Sequence, residues 1–112
     1  MADKMHKRWE EYAEYWETQK GVSEPGSIPW PVMSGRLRDV SKEAVEEFIL
    51  AAPRERALQE VIKTERVRWH PDKAQQRWGR DALTETEMQA ITTVFQTIDG
   101  LWVDRRDKNE AT

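Results

Sequence analysis

Arg68-Trp69-His70-Pro71-Asp72-Lys73 is the stretch whose reading decides the fold of this chain. Proline has no backbone N–H and pushes the residue before it out of the helical region, so a helix arriving from upstream stops before Pro71. Upstream, Ala57, Leu58, Val61, Ile62 and Trp69 recur at helical spacing, which predicts a helix from Pro53, at its first position, to Trp69. Glu65 falls on that helix where an apolar residue is expected. Downstream, a loop from Pro71 to Leu83 is followed by Thr84 and Glu87, spaced as a capping box. The next helix carries Met88, Ile91, Val94, Phe95 and Ile98 on one face. Gly100 either ends it or marks a bend into a short last helix around Leu101, Trp102 and Val103. The six residues therefore sit at the corner of a helical hairpin.

Working outward, Ser41 is placed to cap a helix over 41–52 that buries Val45, Phe48, Ile49 and Ala52. Before it, residues 21–40 hold Pro25, Pro29 and Pro31 with three glycines, which predicts irregular chain. The run Ile28-Pro29-Trp30-Pro31-Val32-Met33 is too apolar for a free linker. It reads as an extended tether with Trp30 against the domain, or as a partner-binding peptide. From Asp3 to Lys20, Met5, Trp9, Tyr12, Ala13 and Trp16 form one apolar stripe of a helix that Gly21 would end. No period-two strand pattern and no internal repeat occurs, so the expected class is all-α. The domain reading is an aromatic helix and Pro-rich tether over 1–40 packed on a core over 41–106, with a frayed tail over 107–112.

Composition narrows the function. The 112 residues are 35% charged and contain six tryptophans but no cysteine. That excludes disulfide scaffolds and thiol chemistry, and no apolar run approaches the roughly 20 residues of a membrane span. With no secretory signal at the start, an intracellular place, cytoplasmic or nuclear, is expected. Only His6 and His70 are available as histidine ligands, and there is no glycine-rich phosphate loop or nucleophile elbow. Neither catalysis nor a metal or cofactor is expected. The net charge of −3 divides unevenly: residues 53–80 hold eight basic and four acidic side chains, while both flanks are acidic. A basic segment in an acidic chain suits an acidic protein surface better than nucleic acid.

His70-Pro71-Asp72 has three readings from the residues alone: a metal or catalytic site lacking the usual further groups, an ordinary structural turn, or an exposed recognition element. The pattern around it resembles the J-domain, the Hsp70-stimulating module of DnaJ/Hsp40 co-chaperones. Leu58, Val61, Ile62, Lys63 and Arg68-Trp69 match that family's helix II, and Met88, Ile91, Val94-Phe95 and Ile98 its helix III. Residues 41–52 take the place of helix I and Leu101 to Arg106 that of helix IV, so the resemblance covers about 41–106 and implies an antiparallel helical hairpin with flanking short helices. The chain departs from the pattern at Glu65, where a core leucine is usual, and at Gln59 and Thr64, where basic residues are usual. The loop from Lys73 to Gly79 is also unusual, with Trp78 expected to fold back into the core. These departures, with Pro29-Trp30-Pro31-Val32 and the aromatic N-terminal helix, make the chain more similar to the divergent J-like region of NF-kappa-B-inhibitor-like and related fungal proteins.

The resemblance implies a co-chaperone module that docks on Hsp70 and stimulates its ATP hydrolysis. His70, Pro71 and Asp72 would form the trigger, with Lys63 and Arg68 as basic docking positions; Arg66 and Lys73 join them by charge alone. Against this stands the ordinary reading of those cations as a solvated helix face. The alternative function is a J-like interaction scaffold without chaperone activity, with RNA processing as a setting and a second protein partner on the N-terminal extension.

Overall fold

The computed structural model describes residues 2–18, 28–53 and 57–110, with side chains placed over 6–17, 28–53 and 57–105. Five α-helices occur among them and no strand: α1 (Ala2–Thr18), α2 (Lys42–Leu50), α3 (Leu58–Arg68), α4 (Pro71–Trp78) and α5 (Glu85–Glu110), with a 3-10 turn at Leu37–Asp39 before α2. Helices α3 and α5 form the hairpin, α2 packs across α5, and α4 closes the corner between the hairpin's arms. The chain is all-α over the described residues.

Local chemistry explains most boundaries. The Ser41 side chain accepts from the Ala44 N–H at the start of α2. At the start of α5, the Thr84 N–H donates to the Glu87 carboxylate and the Glu87 N–H to the Thr84 hydroxyl, both bonds of the capping box. Gly79 ends α4 at φ +89°, a backbone region that side chains strongly disfavour.

Three boundaries differ from the sequence expectation. Helix α3 begins at Leu58 with an extended Ala57 before it, so Pro53 is not its first residue; residues 54–56 lie outside the described part. The expected loop after Trp69 is instead α4, eight residues that begin at Pro71 itself. A proline's fixed φ and missing donor suit the first position of a helix, so Pro71 both stops α3 and starts α4. Gly100 neither ends nor breaks α5, which continues as one helix to Glu110 with no separate short helix at Leu101 to Arg106. Nothing lies within van der Waals reach of a Cβ placed on Gly100. Its cost is therefore propensity alone, about 1 kcal/mol, which the helix on both sides outweighs. The α1 terminus expected at Lys20 and Gly21 falls outside the described residues.

The core is aromatic. Trp69, the last residue before the corner, is fully buried, with Trp30 stacked on it at 5.6 Å and Trp78 and Trp16 at 5.6 and 5.9 Å. A second group holds Trp9 stacked on Phe48 at 4.7 Å, with Tyr12 edge-on to both. Ile62 of α3, Val45 and Ile49 of α2, and Ile91, Val94 and Ile98 of α5 fill the space behind these rings. Helix α1 is thus held through side chains: the Trp9 indole donates to the Phe48 carbonyl at 2.8 Å, and the Arg8 guanidinium reaches the Trp30 carbonyl at 3.4 Å. The Arg8 guanidinium also lies where a Cβ on Gly35 would go, and Gly35 closes its turn at φ +71°. The positive φ favours glycine there, whereas the guanidinium ends a flexible side chain that can move aside.

Candidate functional site: the corner between α3 and α4

The corner is built by its own sequence. His70 is the N-cap of α4, and its Nδ1 accepts from the Asp72 N–H at 3.2 Å. An accepting Nδ1 places the proton of the neutral ring on Nε2, outward. The ring rests edge-on against Phe95 of α5 at 5.2 Å and is otherwise exposed. Asp72 is exposed in the first turn of α4, where a carboxylate meets the positive end of the helix. Pro71 is half-buried beneath them.

The four cations predicted to work with this corner fall into two pairs. Lys63 and Lys73 are exposed, and neither has an ion-pair partner among the described residues. Arg66 instead bonds Asp99 of α5 at 2.6 Å, which ties the hairpin's two arms together. Arg68 donates to the Glu65 carboxylate at 2.7 Å and lies over the Trp16 ring at 5.0 Å. His70, Asp72, Lys63 and Lys73 are thus all exposed, while Arg66 and Arg68 bond side chains of the same molecule. Val67, 54% exposed, lies one turn from Lys63 on the same face of α3.

Sequence reasoning flagged Glu65 as out of place but did not find its partners. Glu65 is only 2% exposed. It accepts from the Tyr12 hydroxyl through one oxygen and from Arg68 through the other. The Tyr12 oxygen in turn accepts from the Trp69 indole at 2.9 Å. A buried carboxylate is tolerated only when paired and hydrogen-bonded, and here a hydroxyl and a guanidinium do both. Burial, above all, holds the Tyr12 phenol well above its ordinary value; the neighbouring Glu65 carboxylate and the bond it accepts push in the same direction. Tyr12 was visible in the sequence only as part of an apolar stripe, so its polar end carried no signal. Arg77 of α4, assigned no role from sequence, covers the Trp16 ring at 4.8 Å.

Residues 43–101 match the family described as the NF-kappa-B inhibitor-like protein 1 C-terminal domain. The chain belongs to that family. The matched stretch contains Glu65, Trp69, the corner and Trp78, whereas Tyr12 and Trp16, which pack on them, precede it. An uncharacterized protein of Saccharomyces cerevisiae, YKR041W, is 29% identical over 95 residues, covering 80% of this chain and 33% of that protein. The chain thus spans about a third of the length of that relative. No solved structure matches the chain. Among the described residues no helix is long and apolar enough to cross a membrane, and no group of three or more potential ligands could hold a metal ion.

Proposed function

We propose that this domain is a non-catalytic protein-interaction module of J-like architecture, and that its contact surface is the His70-Pro71-Asp72 corner with Lys63 and Lys73. One observation carries the reading. The corner and the two lysines face solvent, while Arg66 and Arg68 are spent on Asp99, Glu65 and Trp16. A partner would meet a rigid imidazole and carboxylate set by a proline, flanked by two mobile ammonium groups. That combination suits a protein surface carrying both a carboxylate and a cation, with the lysines speeding encounter. The family membership fits a scaffold, and α1 occupies a face of α3 that a basic docking helix would leave open.

A second reading is docking on an Hsp70-type chaperone, favoured by the exposure of His70 and Asp72 in an intact His-Pro-Asp sequence. In that case Asp72 would pair with a cation of the chaperone and binding would favour its hydrolysing state. The two readings separate in one set of experiments. For the scaffold, steady-state ATP hydrolysis by an Hsp70 is unchanged by the chain, while partners captured by the full chain are lost with Asp72→Asn and Lys63→Glu. Stimulation that disappears with His70→Gln would instead establish the chaperone reading. Capture unaffected by all three substitutions overturns the corner as a contact surface.

A further inference from the structure

A cleft of about 270 Å³ lies between α1 and α3, separated from Lys63 and Val67 by Thr64 and Arg68. Its α1 wall is His6, Glu10, Ala13 and Glu17, one stripe of that helix. Trp9, Val61 and Ala52 give it an apolar floor. The volume is below the roughly 300–1,000 Å³ usual for small-molecule sites, so it suits one or two inserted side chains. The charge is one-sided on the α1 rim. Glu10 is paired only with the exposed His6, at 3.0 Å, and Glu17 has no ion-pair partner among the described residues. On the α3 side the cation among the described lining residues, Arg68, is already held by Glu65 and Trp16.

We infer that this cleft binds a basic amphipathic helix of a partner protein, one apolar side chain entering over Ala13 and two cations reaching Glu10 and Glu17. The spacing sets the pattern. Glu10 and Glu17 are seven residues apart, about 10 Å along α1, and Ala13 lies between them. A partner helix running along α1 therefore needs Arg or Lys at two positions seven apart, with Leu or Met three or four residues from the first. Ala13 is the small residue that leaves room for that side chain, and the rim carboxylates select its neighbours by charge. This surface uses none of the corner residues and stands whether or not the corner binds a chaperone.

The test uses the full chain and a fluorescein-labelled 15-residue helical peptide carrying Arg at two positions seven apart and Leu between them, read by anisotropy. A matched peptide with Glu in place of Arg is the control. The basic peptide is expected to bind and the acidic one not to. The double variant Glu10→Gln/Glu17→Gln should weaken binding at least tenfold. Ala13→Leu, which fills the cleft and alters no charge, should weaken it comparably, with circular dichroism confirming that each variant is folded. Glu11→Gln, an exposed carboxylate of α1 outside the cleft, should change affinity less than twofold. The inference is overturned by no binding, by an equal loss with Glu11→Gln, by an unchanged affinity with Ala13→Leu, or by sedimentation showing that the cleft is closed by a second copy of the chain.

Discussion

The two faces of α3 have opposite fates. The face toward α1 contains Val61, Glu65 and Arg68, and both the carboxylate and the guanidinium on it are matched by partners within the molecule. The solvent face contains Lys63 and Val67; beyond it His70 and Asp72 are exposed, and the hydrogen bond found for their side chains among the described residues is the helix cap between them. Eleven residues of one helix thus separate a structural side from a side available to partners. Basic residues close in sequence therefore need not act together: Lys63 and Arg68 border the same groove of α3, but Arg68 is held by Glu65 and Trp16 while Lys63 has no ion-pair partner among the described residues.

The largest effects are expected on the buried side. Trp69→Ala removes the ring on which Trp16, Trp30 and Trp78 converge and leaves the Tyr12 oxygen without its donor. A loss of about 3–5 kcal/mol is expected in urea unfolding, together with detachment of α1. A loss below about 1 kcal/mol would mean that the aromatic cluster does not hold the arm.

Tyr12→Phe tests the polar part of the same side. It leaves a Glu65 oxygen buried without its donor, at a cost of about 1–3 kcal/mol, and it also changes the pH profile. Because the folded chain holds the Tyr12 phenol above its ordinary value, the unfolded chain loses this proton first as pH rises. The contribution is complete below pH about 10 and is lost on going above it, through the folded value. The parent chain should therefore lose melting temperature above that pH more steeply than Tyr12→Phe. Equal alkaline slopes would show that the phenol is not protected.

The smallest stability effects belong to the exposed side. His70→Ala removes a helix cap, worth about 1 kcal/mol, and Lys63→Ala should stay within about 0.5 kcal/mol. Thermal melts that show larger losses would make the corner structural. Small losses accompanied by loss of partner capture would sharpen the division between the two faces.

Much of this was legible without coordinates. Capping at Ser41 and Thr84 depends on residues three apart in the chain, so local spacing revealed it. The hairpin followed from the helical spacing on either side of Pro71. The course of α4 was missed because proline reads equally as a stop for one helix and the first residue of another, and the choice depends on whether the following residues have something to pack against. Ala74 and Trp78 do, since both are buried beneath the helix they belong to. Local propensity makes Gly100 an end or a bend, whereas Ile98 and the core behind it keep the helix running.

The sequence by itself determined an all-α chain with a proline-set corner, because periodicity, capping and proline sterics act over a few residues. It also marked Glu65 as out of place. Only the tertiary structure decided which side chains answer it: Tyr12 stands 53 residues away and Trp69 closes the link through its indole. The same long-range packing decided that Arg66 and Arg68 find partners within the molecule while Lys63 and Lys73 have no ion-pair partner among the described residues. Burial and pairing are set by what the whole chain brings together, and no local pattern carries that information.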